Sequence, residues 1–176
     1  MVLALLWIAG PRNAAGNHVR IKASGSDPEI ALVVESPTGT LAVGFDLSGN
    51  PQTVGNGAPV AGTPALLVEV GARRGGGPTT PTTVELRADA PAFLLSPGGS
   101  QIPISSISWT STAVGGAVPI PAGQFAAGSQ VIATLPLSKG SDLWMGGQLT
   151  FYFANAAVYP AGTYSGTISF TATFTP

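Results

Sequence analysis

The sequence GTYSGTISFTATF, residues 162–174, decides the fold of this chain. Apolar residues recur along it at alternate positions, and hydroxyl residues fill the positions between them. Because a β-strand turns successive side chains to opposite faces, this alternation predicts a strand with one buried face and one face in water. The predicted buried face consists of Tyr164, Ile168, Phe170, Ala172 and Phe174.

Most of the remaining sequence divides into short apolar segments separated by glycine and proline, of which the chain has 24 and 16. Alternation predicts strands near residues 40–47, 82–88 and 148–154, whereas residues 48–64 and 89–99 are typical of loops. No long window shows the 3.6-residue apolar repeat of a helix. We therefore expect an all-β chain, folded as a single immunoglobulin-like antiparallel β-sandwich.

Two segments carry a finer prediction. Residues 29–35, EIALVVE, are apolar on both alternating faces, which predicts a strand buried on both sides. Between Ile104 and Ile107 the phase of the apolar residues shifts, which predicts a β-bulge or a break near Ser105 and Ser106.

A turn sequence, VYPAG, precedes the final strand at residues 158–162. With Tyr164 it resembles the tyrosine corner of immunoglobulin-like sandwiches, in which the phenol bonds to backbone a few residues upstream. The alternative is a buried tyrosine that lacks this bond. Either interpretation makes Tyr164 a structural residue.

Charged residues are scarce, at 9% of the chain with a net charge of −1. Without a basic patch we expect no nucleic-acid partner. The sequence holds one histidine, His18, no cysteine, and no two carboxylates close together of the kind that glycosidase or aspartic-protease motifs show. It also has no nucleophile elbow and no P-loop. We therefore expect no catalytic residues, no metal site, no cofactor and no enzymatic activity.

The amino-terminal sequence VLALLWIA, residues 2–9, is apolar and too short to cross a bilayer. Pro11 follows it, and small residues at Ala14 and Gly16 suit a signal-peptidase cut before Asn17. This pattern favours a signal peptide over residues 1–16 and a mature β-sandwich domain over residues 17–176. We expect a secreted, periplasmic or cell-surface protein without a membrane span. The alternative for residues 2–9 is a buried first strand.

The carboxy-terminal half resembles a known group of proteins. The sequence WMGGQLTFYFAN at residues 144–155, followed by YPAGTYSGTISFTAT at residues 159–173, is similar to bacterial secreted immunoglobulin-like sandwiches of the pilus-subunit and spore-coat-U type. The resemblance covers roughly residues 82–176.

This resemblance implies a mode of assembly. Pilus subunits of this type lack a final strand, and the amino-terminal extension of a neighbouring subunit fills the gap. It implies partner subunits of the same chain or of a pilus, and a periplasmic chaperone. Val19 and Ile21 alternate as a donor strand would, and no strand follows residues 162–174, as an open groove requires. The alternative is a sandwich that is complete by itself.

We therefore expect an extracellular structural or adhesive protein, a pilus-like or fimbria-associated subunit that assembles by β-strand pairing or donor-strand exchange. The structural and assembly candidates are Tyr164, Ile168, Phe170, Phe174, Val19 and Ile21. The alternatives are a monomeric secreted module that binds carbohydrate or a host surface, and a phage or viral surface sandwich. For a binding module, Trp144 and Tyr152 are the candidate exposed aromatic residues.

Overall fold

The computed structural model describes residues 2–9, 28–48, 54–74 and 83–176, with backbone alone for residues 2–9. In these ranges the chain forms thirteen strands and one short 3₁₀ helix, Ile104–Ser106. The strands are β1 (Val2–Ala9), β2 (Glu29–Glu35), β3 (Ala42–Asp46), β4 (Val60–Ala61), β5 (Leu66–Arg73), β6 (Thr83–Ala90), β7 (Phe93–Leu95), β8 (Gln101–Pro103), β9 (Ile107–Ala113), β10 (Gly123–Gln124), β11 (Gly128–Pro136), β12 (Asp142–Phe153) and β13 (Gly162–Thr175).

The strands form two sheets that pack against each other, which confirms the predicted all-β sandwich. The seven-stranded sheet has the order β11-β6-β13-β1-β3, with β7 paired to both β13 and β8. The six-stranded sheet has the order β10-β9-β12-β5-β2, with β4 paired to β12. Paired strands run antiparallel, except that β1 runs parallel to β13.

One hydrophobic core lies between the two sheets. On β13, Tyr164, Ile168 and Phe170 are buried, and Ala172 and Phe174 are half-buried against the same core, so the predicted inner face is confirmed. Residues from the six-stranded sheet meet them from the other side, because each strand turns alternate apolar side chains inward. The fully buried apolar members on β5 and β12 are Leu66, Val68, Val70, Ala72, Met145, Leu149, Phe151 and Phe153.

The predicted break near Ser105 and Ser106 is confirmed. The 3₁₀ helix Ile104–Ser106 separates β8 from β9, and the Ser106 hydroxyl donates to the Pro103 carbonyl oxygen at 2.7 Å. The extra turn lets both Ile104 and Ile107 reach the core despite their shifted phase. The 3₁₀ helix therefore interrupts the apolar alternation, and the isoleucines on both sides of the break stay buried.

Two expectations about strands need correction. Residues 29–35 do form β2, but all seven residues are only half-buried, because β2 lies at the end of its sheet with β5 as its one neighbour. Residues 93–95, expected in a loop, form β7, which pairs with β8 and with Ser165 of β13. In both cases the position in the sheet decides what the local sequence leaves open.

Residues 2–9, part of the predicted signal peptide, form a strand in the structure. Val2–Ala9 form β1, which lies inside the seven-stranded sheet between β13 and β3. This is the position that the alternative interpretation, a first strand, requires. Residues 10–16 lie outside the described ranges, and the cleavage of residues 1–16 stays a prediction.

Candidate functional site

An open groove that accepts a donor strand was expected beside β13. In the structure, β1 lies beside β13 and pairs with it. β13 is not an edge strand, since β6 and β7 pair with one side of it and β1 pairs with the other. On its far side β1 pairs with β3, so it joins two parts of the sheet. In the register, Ala4 lies opposite Tyr164 and Phe45, and Leu6 lies opposite Gly166 and Val43.

Removing β1 from this position would open the seven-stranded sheet. β1 pairs with Gly162–Ser169 of β13 on one side and with Ala42–Asp46 of β3 on the other. Without β1, both stretches would present unpaired N–H and C=O groups. The side chains of Val43, Phe45, Tyr164 and Ile168, all 0% exposed, lie on these two strands. The space between β13 and β3 is therefore a strand-shaped site that needs an occupant.

The chain between β1 and β2 is a long connection. β1 ends at Ala9 and β2 begins at Glu29, so residues 10–28 connect them. At about 3.3 Å per extended residue, this connection spans up to about 60 Å. This length is an upper limit on the distance between the end of β1 and the start of β2.

The tyrosine corner is present and fixes one end of the site. The Tyr164 phenol O–H donates to the Pro160 carbonyl oxygen at 2.8 Å, which confirms the predicted bond. The Tyr159 ring lies edge-on to the Tyr164 ring at 6.5 Å between centroids. These contacts hold the start of β13, where its register with β1 begins at Gly162.

The predicted aromatic pair does not form one surface. Trp144 is 39% exposed and Tyr152 is half-buried. Both lie on the outward-facing positions of β12, but eight residues along a strand separate them by about 27 Å. The described residues therefore do not provide the row of exposed rings that a carbohydrate-binding face would need at these two positions.

Sequence reasoning missed a buried carboxylate beside Trp144. Glu69 on β5 is 1% exposed, and its Oε1 accepts a hydrogen bond from the Trp144 indole N–H at 3.1 Å. Its Oε2 is buried and has no hydrogen-bond partner. The signal in the sequence was a glutamate inside the apolar run LLVEV at residues 66–70, where a charged residue is unusual.

A second missed residue is Asn155, which is 1% exposed. Its Oδ1 accepts from the Gly55 amide at 2.8 Å, and its Nδ2 donates to Asn56 Oδ1 at 3.1 Å and to the Ala58 carbonyl at 3.4 Å. The side chain thus ties the loop before β4 to the end of β12. Nothing in the local sequence marks this role.

The remaining site predictions are not decided. Val19 and Ile21 lie outside the described residues, so their part in assembly stays a prediction. Within the described ranges, no group of three or more histidine, aspartate or glutamate side chains could hold a metal ion. No helix in those ranges is long and apolar enough to cross a membrane.

Comparison with known proteins gives no relative. No family model matches the sequence, and no curated protein matches it at a significant level. The resemblance to pilus-subunit and spore-coat-U sandwiches therefore rests on the residues quoted above.

Proposed function

We propose that residues 2–9 stay in the mature protein as β1, which is the alternative to the signal peptide, and that this protein is an extracellular structural subunit, pilus-like or pilus-associated, which assembles when neighbouring copies exchange β1. The observation that carries the proposal is the place of β1 in the sheet. It lies between β13 and β3, pairs with β13 over eight positions, and reaches the rest of the fold through residues 10–28.

Exchange of β1 conserves the interactions of the sheet. A β1 strand from an adjacent copy makes the same ladder bonds with β13 and β3 as the chain's own strand, so the two arrangements differ mainly in the path of the connection. If each copy donates to one neighbour and accepts from another, the contact is heterologous and need not close. A contact of that type generates a fibre.

The protein would lie outside the cytoplasm and would bind a periplasmic chaperone before it assembles. Outside the cytoplasm, between synthesis and assembly, the site between β13 and β3 would be empty whenever β1 is withdrawn. An unpaired site of this kind aggregates unless it is covered. A periplasmic chaperone that pairs with β13 or β3 would cover it until a neighbouring copy supplies β1.

The test compares two substitutions on β1. Leu6 lies at the register position opposite Val43, which is 0% exposed, and Leu5 lies opposite Ser165, which is exposed. Two differently tagged preparations are unfolded together and refolded at high concentration, and the mixed assemblies are isolated through one tag. We expect mixed assemblies for the wild type and for Leu5→Asp, and none for Leu6→Asp, because position 6 is in register with the fully buried Val43 and burial of an unpaired charge is costly.

Two results would contradict strand exchange. One is a wild type that stays monomeric at every concentration, with the two tags never recovered together. The other is an assembly whose size and tag mixing are the same for Leu6→Asp as for the wild type. Electron microscopy of the recovered material distinguishes fibres from amorphous aggregate.

A further inference from the structure

The side of β2 that no described strand covers, called its free edge below, is a second place where another strand can pair. β2 is the terminal strand of the six-stranded sheet and pairs with β5 from Glu29 opposite Arg73 to Glu35 opposite Leu67. No described residue pairs with the other side of β2. A sheet edge of this length presents unpaired N–H and C=O groups that can bind an extended segment.

The two faces of β2 differ in chemistry. Ile30, Leu32 and Val34 are half-buried and pack against the core. The opposite face follows the outward positions of β5, and it carries a carboxylate at each end, Glu29 and Glu35. An added strand would therefore meet aliphatic side chains on one face and negative charge on the other.

The outward face of β5 lies beside β2 and carries Glu69 and Arg73. Glu69 lies opposite Val33 in the register and has a buried Oε2 without a hydrogen-bond partner. The basic residue on the same face of β5, Arg73, has its Nε 3.7 Å from the Asp142 carboxylate. Glu29 and Glu35, which are half-buried at the two ends of β2, are therefore the carboxylates that an approaching strand meets first.

Pairing of β2 with the β2 of a second copy is unfavourable in the symmetric register. An antiparallel pair centred on Leu32 would place Glu29 of one copy opposite Glu35 of the other. Like charges directly opposite each other destabilise a strand pair. The composition of the edge therefore selects a partner strand of opposite charge.

We propose that the free edge of β2 binds an extended segment of a partner protein that alternates branched aliphatic residues with lysine or arginine. The aliphatic residues continue the row of Ile30, Leu32 and Val34, and the basic residues lie beside Glu29 and Glu35. Backbone pairing with the edge provides affinity, and the two carboxylates make the edge selective for a basic partner. This binding does not depend on the exchange of β1.

A peptide from the chain's own sequence provides the probe. Residues 18–23, HVRIKA, alternate the aliphatic residues Val19 and Ile21 with the basic residues Arg20 and Lys22. A fluorescently labelled peptide of residues 17–24 is titrated with the full chain and its anisotropy recorded. The control peptide carries glutamate in place of Arg20 and Lys22.

We expect the basic peptide to bind at least about tenfold more tightly than the acidic control, with affinity that falls as salt is raised. The full-chain double variant Glu29→Lys, Glu35→Lys should reverse this preference, and its circular dichroism and urea midpoint show whether it is folded. Leu6→Asp, which blocks β1 exchange in the proposal above, should still bind the basic peptide. The two proposals can therefore fail separately.

Several outcomes would overturn the proposal. Equal binding of the two peptides, or an unchanged preference in the folded Glu29→Lys, Glu35→Lys variant, would show that the edge does not select charge. Absence of binding to both the wild type and the full-chain variant Arg20→Glu, Lys22→Glu would show that the edge accepts no such strand. Binding to that variant but not to the wild type would show that the chain's own segment fills the edge instead of a partner.

Discussion

Asn155 shows how a single side chain can hold two distant parts of this sandwich together. Its backbone has a φ of 49°, in the left-handed region, and its own carbonyl accepts from the Gly57 amide at 2.9 Å. Its side chain satisfies the Gly55 amide, which is 100 residues away in the sequence. Asparagine adopts the left-handed conformation more readily than other residues with a side chain, which suits it to this position.

Replacing Asn155 with alanine should lower the free energy of unfolding by about 2–5 kcal/mol. The part-buried Gly55 amide would lose its acceptor, which costs about 1–3 kcal/mol, and alanine in the left-handed region costs about 1–2 kcal/mol more. Urea denaturation followed by circular dichroism measures the change. Asn155→Gly is the matched control, since it removes the same hydrogen bonds but tolerates the backbone conformation.

The pair of variants separates the two contributions. Asn155→Gly should be destabilised by less than Asn155→Ala, and the difference measures the backbone strain. If both variants unfold at the wild-type urea concentration, the hydrogen bonds of Asn155 do not stabilise the fold.

Tyr164 and Asn155 also show what a sequence reveals about single residues. The partner of the Tyr164 phenol is Pro160, four residues away, so a short turn sequence was enough to predict the bond. The partners of Asn155 and Glu69 lie about 75 to 100 residues away, in a loop and on a strand that only the tertiary fold brings close. A local pattern therefore predicted the first contact and could not predict the other two.

At the scale of elements, the segment around β4 connects the two sheets. Residues Val60–Ala61 pair with β12 in the six-stranded sheet, and Thr63 exchanges two backbone hydrogen bonds with Gly44 of β3 in the other sheet. Between them, the Gly62 amide donates to the Phe151 carbonyl at 2.8 Å. A Cβ on Gly62 would lie 2.6 Å from Val43 Cγ1 and 2.7 Å from Phe45 Cε1, closer than these atoms tolerate.

Gly62→Ala should therefore lower the free energy of unfolding by about 1–3 kcal/mol, because the added methyl group overpacks the core beside β3. Gly98→Ala is the control, since the nearest atom to its Cβ position is 3.9 Å away. Thermal and urea denaturation of the two variants measure the difference. Equal stability of Gly62→Ala and Gly98→Ala would contradict the close approach of this segment to β3.

Element prediction from the sequence succeeded where side chains alternate between core and water. The segments at residues 40–47 and 162–174 match β3 and most of β13 because period-two alternation is a direct consequence of strand geometry. It failed for β7 and β4, which have only three and two residues. Strands this short hold no alternation to detect, and they exist because longer strands offer them backbone partners.

At the scale of the whole molecule, β1 decides whether the seven-stranded sheet is continuous. It is the one strand that joins β13 to β3, and no other described contact pairs those two strands. Protection of their backbone amides from solvent therefore depends on β1.

Amide hydrogen exchange should detect this dependence. In Leu6→Asp, amides of Gly162–Ser169 and Ala42–Asp46 that bond to β1 should exchange at least about tenfold faster, because the strand that protects them is no longer held. Amides of β12 paired with β5 should keep their protection. Leu5→Asp is the control and should show no such acceleration; a Leu6→Asp profile equal to that of the wild type would show that β1 is not held at this position.

The sequence by itself determined that this chain is an all-β sandwich, which face of the final strand is buried, and that Tyr164 bonds back to the preceding turn. These properties arise from alternation along one strand and from contacts a few residues apart. Only the tertiary structure decided that the final strand is central, that β1 fills the space beside it, and that β2 is the terminal strand of its sheet among the described residues. The reason is that strand order depends on pairings such as that of Val2 with Gly162, and no local pattern encodes which distant strand becomes a neighbour.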